Sequence, residues 1–140
     1  MPEFAFDPPL PTAAVPDEQR LAGFLQTLTL KDDAGKPIGL ARWHAPGGLT
    51  EGVVQILELT IAEPHRRRGH AGRLLKATID QAVRYHRLHK QPLRRLWFSI
   101  EQKTQVNARA FLTQHGFHQT GTISDLLKSQ DALIYVRSLD

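Results

Sequence analysis

The stretch Val53-Val54-Gln55-Ile56-Leu57-Glu58-Leu59-Thr60-Ile61-Ala62-Glu63-Pro64-His65-Arg66-Arg67-Arg68-Gly69-His70-Ala71-Gly72-Arg73-Leu74-Leu75 changes its hydrophobic rhythm part-way along. Up to Ile61 the period is two, which predicts a strand with Leu57, Leu59 and Ile61 on one face and Ile56, Glu58 and Thr60 on the other. Past Gly69 the apolar positions Ala71, Leu74, Leu75, Thr78, Ile79, Ala82 and Val83 recur at helical spacing and form one stripe, so a helix is expected from about Gly69 to His89. A strand that runs straight into a helix sets several backbone N–H groups and the positive end of the helix dipole at one place. In this chain that place reads Arg66-Arg67-Arg68-Gly69-His70-Ala71-Gly72-Arg73. Small residues let phosphate oxygens reach the backbone and arginines supply charge-assisted hydrogen bonds, so the turn is a candidate anion site, although a six-residue Arg/Gly match alone fits an ordinary solvated helix start equally well.

Upstream, Leu25–Leu30 and Ile38–His44 alternate apolar and polar residues around Lys31-Asp32-Asp33-Ala34-Gly35-Lys36-Pro37, which predicts an antiparallel hairpin. Downstream, Pro92 interrupts the chain before a bulky strand, Leu96-Trp97-Phe98-Ser99-Ile100. A second helix from about Thr104 to Gln114 follows. Gly116 can take the left-handed conformation that helix ends favour, Phe117 opens a strand toward Ile123, and Ala132–Leu139 reads as a last strand. Residues 1–20 hold Pro2, Pro8, Pro9, Pro11 and Pro16 and read as a Pro-rich arm, leaving 21–140 as one α/β domain with a mixed sheet.

The chain has 140 residues, 41% of them hydrophobic and 23% charged, a profile of one globular domain. It has no cysteine, which removes disulfides, thiolate nucleophiles and Cys-ligated zinc. No run approaches the roughly 20 apolar residues that span a bilayer, and the acidic, Pro-rich start lacks a secretory pattern, so a cytoplasmic protein without membrane partners is expected. The net charge of +4 is unevenly spread. Between His65 and Arg95 stand ten Lys or Arg against the single acid Asp80, which leaves the rest of the chain acidic. So local a positive field suits a specific polyanionic ligand as readily as a nucleic-acid backbone.

Leu59-Thr60-Ile61, Pro64, Arg66-x-x-Gly69-x-Ala71 and Leu74-Leu75 together resemble the acetyl-CoA-binding motif of the GNAT superfamily of N-acetyltransferases, whose Q/R-x-x-G-x-G/A signature is met by Arg66, Gly69 and Ala71. Ala108, Phe111 and His115-Gly116-Phe117 are similar to the family's second helix and following strand. The Rossmann and P-loop signatures do not occur. The resemblance, from about residue 24 to the end, implies a mixed, mostly antiparallel sheet flanked by helices, with a shortened N-terminal region. It also implies a V-shaped opening between the strands at 53–62 and 95–101. There the pantetheine arm of acetyl-CoA would pair with the backbone of Leu59, Thr60 and Ile61, and the pyrophosphate would sit on Arg66, Arg67, Arg68, Gly69, His70, Ala71, Gly72 and Arg73. Gln105 and Asn107 are candidates for hydrogen bonds to the pantetheine amides. The implied reaction is direct attack of a primary amine on the thioester.

Such an amine is mostly protonated at neutral pH, so a base is valuable, and Glu58 on the strand that lines the thioester is the candidate. The competing reading makes it an exposed carboxylate paired with Arg42 or Arg66. Leu112 falls where many relatives carry a proton-donating tyrosine, and Tyr85 and Tyr135 read as core or surface residues. Trp43-His44 and Trp97-Phe98 read as sheet packing, with Trp43 and His44 also able to border an acceptor pocket. His86-x-x-His89 reads as a solvated helix end, and no metal is expected. The family's two helices after the first strand are replaced here by about 20 Pro-rich residues. Either the groove is open to a bulky acceptor such as a protein amine, or a second subunit completes it in a homodimer. A non-catalytic CoA-sensing or nucleic-acid-binding protein on the same fold is the competing function, with Leu112 as its best support.

Overall fold

The structure, a computed structural model, describes residues 5–7, 24–66, 68–102, 106–127 and 130–139, which group into two compact units divided after Leu93. In the first, strands β1 (Ala5–Asp7), β2 (Phe24–Lys31), β3 (Pro37–Ala45) and β4 (Val53–Ile61) form an antiparallel sheet in sequence order. The hairpin between β2 and β3 turns on Asp32, whose Oδ1 accepts from the N–H of Ala34 at 3.0 Å and of Lys36 at 2.8 Å. Asx side chains capture nearby backbone donors in this way, and Gly35 supplies the positive φ of 81°.

One face of this sheet carries helix α1 (His70–Leu88). Leu28, Leu30, Ile38, Ala41 and Ile61 pack with Leu74 of the helix, with Phe6 and Leu59 at the cluster's edge. Gly39 permits the close approach, since a Cβ there would lie 2.7 Å from Ile61 Cδ1 and 3.3 Å from Leu74 Cδ2. Trp43 is fully buried and its indole N–H donates to Gln81 Oε1 on the helix at 2.8 Å. The helix ends on Lys90, the single described residue other than glycine with positive φ, at 59°.

The strict alternation expected along β4 is broken. Arg42 pairs with Glu58 but Trp43 pairs with Ile56, so Leu57 is an extra residue, a β-bulge. Ile56, 1% exposed, therefore shares the buried face with Ile61, whereas Leu57 is 47% exposed. Two consecutive apolar residues satisfy either face when the period is read alone, and the ladder with β3 decides between them.

The second unit holds β5 (Arg95–Glu101), α2 (Val106–Gln114), β6 (His118–Leu127) and β7 (Gln130–Ser138), with β7 antiparallel to both other strands. Gly116, at φ 86°, ends α2, and the N–H of Phe117 returns to the carbonyl of Leu112 at 2.9 Å. Phe117 meets Phe98 edge-on at 5.3 Å inside this unit. The α/β class expected from the sequence is the class observed. Of the 1–20 arm the structure describes a three-residue strand on the edge of β2, Ala5–Asp7.

Candidate functional site

β4 delivers the chain to the arginine turn through a single 3-10 turn, Glu63–His65, with Pro64 inside it. Arg66 leaves this turn extended and folds back, its Nε–H donating to the carbonyl of Ile61 at 2.9 Å. Arg67 lies outside the described residues. Arg68 is exposed, and Gly69 then takes φ 80°, ψ 4°, the left-handed conformation from which α1 starts. A side chain is costly in that conformation, yet a Cβ at Gly69 would have nothing within 4 Å. The space beside it is therefore open to a ligand.

The first turn of α1, which contains His70, Ala71, Gly72 and Arg73, has no side-chain cap at Gly69 and no acidic residue. Helix starts usually recruit one or the other, and without them the dipole's positive end faces outward beside Arg66, Arg68 and Arg73. His70 itself is buried, and its pKa is lowered by that burial first and then by the charges of Arg73, His65 and Arg68. Its imidazole is therefore harder to protonate than a free one.

The sheet face away from α1 is laid out in rows by strand register. Thr27 on β2 stands opposite Arg42 on β3, which stands opposite Glu58 on β4. Leu25, His44 and Gln55 make the row on one side, where His44 Nε2 and Gln55 Oε1 are 2.7 Å apart. Thr29, Leu40 and Thr60 make the row on the other and line an open hollow of about 490 Å3 with Pro37 and Arg66. Arg42 Nη1 lies 3.9 Å from Glu58 Oε2, and the side chains are 49% and 37% exposed. A pair at that separation in water is worth about 0–1 kcal/mol. Glu58 thus has the Arg42 contact that the competing reading gave it, in a form too weak to hold it against a ligand.

Of the three β4 residues expected along the cofactor, Leu59 and Ile61 turn their side chains into the core and Thr60 turns outward. Asn107 is exposed on α2 in the second unit, and Gln105 lies outside the described residues. Leu112 is 2% exposed. The Tyr135 hydroxyl accepts from Arg109 Nε at 3.2 Å, and that of Tyr85 donates to Gln26 Oε1 at 3.5 Å. His86 is fully buried with Nδ1 2.7 Å from the carbonyl of Ala82, so it faces the interior, contrary to the solvated helix end expected. Among the described residues no group of three or more His, Asp or Glu could hold a metal, and no helix is long and apolar enough to cross a membrane. The part Thr27 plays in the Arg42 row went unseen in the sequence. Counting the hairpin register straight back from Lys31 and Pro37 would pair Thr27 with Ala41, because the register shifts by one between Leu30 and Lys31.

The sequence matches the acetyltransferase (GNAT) family over residues 2–117. The chain belongs to the GNAT family. Solved GNAT-type structures share its fold. A GNAT family acetyltransferase from Elizabethkingia anophelis with acetyl-CoA bound is 15% identical, with a TM-score of 0.71 over 97% of this chain and 98% of that one. An acetyltransferase from Bacillus cereus is 19% identical, with a TM-score of 0.65 over 89% and 80%. The ribosomal-protein-S18-alanine N-acetyltransferase from Escherichia coli is 18% identical, with a TM-score of 0.66 over 83% and 70%. No curated protein sequence matches the chain. The uncapped α1 turn thus combines backbone donors, unobstructed space at Gly69 and arginine charge.

Proposed function

We propose that the protein transfers an acetyl group from acetyl-CoA to a primary amine by direct attack, both substrates being bound at once. The observation that carries the reading is the left-handed Gly69 turn, which starts α1 with no cap and no acid among arginines. Family membership favours acetyl-CoA as the acyl donor, and the turn's backbone donors and arginines favour this end of α1 for its pyrophosphate. The pantetheine arm follows the backbone of Leu59, Thr60 and Ile61.

Glu58 takes the proton. The neutral amine nitrogen attacks the thioester carbon, a C–N bond forms, the C–S bond breaks, and the nitrogen's proton passes to the carboxylate. The electron pair leaves with the CoA sulfur. A thiolate whose conjugate thiol has a pKa of about 8.5 departs without a strong acid, so solvent can protonate it where Leu112 replaces a hydroxyl.

Two measurements test this. Acetyl-CoA at a hundredfold excess over a micromolar affinity should stabilise the protein by about 2.7 kcal/mol, and an unmoved melting point overturns the cofactor assignment. Thiol release with an amine panel should fall roughly 100-fold or more at pH 7 in Glu58→Gln, as loss of a general base does. Equal rates and an unchanged pH profile would remove Glu58 from the mechanism. A salt-sensitive response to DNA or RNA with none to acetyl-CoA would favour the non-catalytic, nucleic-acid-binding alternative.

A further inference from the structure

We infer that the acceptor is a free α-amino acid, its carboxylate held by Arg42 with the Thr27 hydroxyl and its amine delivered to Glu58. This deepens the proposed function and rests on it. Residues directly opposite on neighbouring strands point to the same side of a sheet, and strands lie about 4.8 Å apart, so Thr27, Arg42 and Glu58 make one line roughly 10 Å long. Along it stand a hydroxyl, a guanidinium and a carboxylate. That order is complementary to a molecule with an anionic end followed, within a few ångströms, by an ammonium.

The contact already present points the same way. At 3.9 Å, with both side chains open to solvent, Arg42 and Glu58 are held loosely together. A plain amine that took Glu58 would leave Arg42 without its counter-charge. A zwitterion that enters between them satisfies both, with a carboxylate that accepts two parallel donors from the guanidinium. Direction agrees as well. Glu58 is on β4, the strand along which the pantetheine arm is placed, so the amine end of the ligand meets the thioester and the carboxylate lies toward β3 and β2. Peptide and protein N-termini, in which an amide replaces the carboxylate, fit this line poorly.

The experiment compares free amino acids with their decarboxylated amines and their amides, for instance phenylalanine with phenethylamine and phenylalaninamide, by acetyl-CoA-dependent thiol release. A charge-assisted hydrogen bond to the carboxylate should favour the best amino acid over its amine by at least about tenfold in kcat/KM. In Arg42→Gln that ratio should drop to near one, and in Thr27→Val it should drop about threefold, which keeps the test open if one variant fails to fold. Amines or amides used as well as the amino acids overturn the inference while the acetyltransferase reading stands. No thiol release with any amine overturns both.

Discussion

Replacing Gly69 with alanine separates two demands that meet in one residue. At φ 80° an L-residue costs about 1–2 kcal/mol, and because a Cβ there would touch nothing within 4 Å, no steric term adds to that strain. With an unfolding entropy of about 2.1 cal/mol/K per residue, a chain of 140 residues loses roughly 3–7 °C of Tm for such a penalty. The same Cβ would occupy the open space beside the uncapped first turn. If one charge-assisted contact to the pyrophosphate is lost, acetyl-CoA should bind about 10- to 100-fold more weakly. Gly69→Asn divides the two effects, since asparagine tolerates the left-handed conformation yet fills the space. Thermal melts and acetyl-CoA titrations of both variants give the readout. Asparagine should recover most of the Tm and little of the affinity. If both variants bind acetyl-CoA like the parent, the phosphate does not approach Gly69 and the cofactor placement is wrong.

Stability should also depend on pH in one direction. His86 is held below its ordinary pKa by burial, with the Ala82 carbonyl opposing and His89 adding slightly, and His70 is lowered as well. Below about pH 6.5 the unfolded chain takes protons that the folded chain refuses, so stability is level above that pH and declines beneath it, by up to about 1.4 kcal/mol per pH unit for each group. Urea midpoints between pH 7.5 and 5 should show this, with a shallower slope in His86→Gln; an equal slope would show that His86 does not titrate differently on folding. Gly39→Ala should destabilise by about 1–3 kcal/mol through its collision with Ile61 and Leu74, measured by urea unfolding, and a neutral result would mean that α1 shifts freely on the sheet. Lys90→Gly should stabilise by about 0.5–1 kcal/mol, because glycine meets φ 59° without strain; a loss in Tm would refute this.

The order of elements was readable because each has its own signature. Period two gave β2, β3 and β4, the 3.6-residue stripe gave α1, and Gly116 marked the end of α2. β1 was not readable, since three residues among prolines carry no period. The Leu57 bulge escaped for a different reason: a bulge is a relation between strands, and β4 alone cannot register it. At the site, Arg66, Gly69 and the first turn of α1 could be read as neighbours because they are close in sequence. The fold of Arg66 back onto Ile61 could not, nor could the burial of His86. The Thr27, Arg42 and Glu58 row is assembled from three strands and becomes visible only when their registers are combined.

The bulge has an arithmetical meaning for the chain. Val54, Ile56, Leu59 and Ile61 all reach the helix side although the spacing jumps from two to three between the middle pair. Striking out Leu57 would leave every other side chain of β4 on the face it now has and turn the strand into a regular one. The sheet's interior is thus indifferent to that residue. What its removal would change is local to the solvent side: the stretch of β4 next to Glu58 would draw in by one residue, with the carboxylate still facing outward. An evolving sequence could gain or lose such a residue without rebuilding the core.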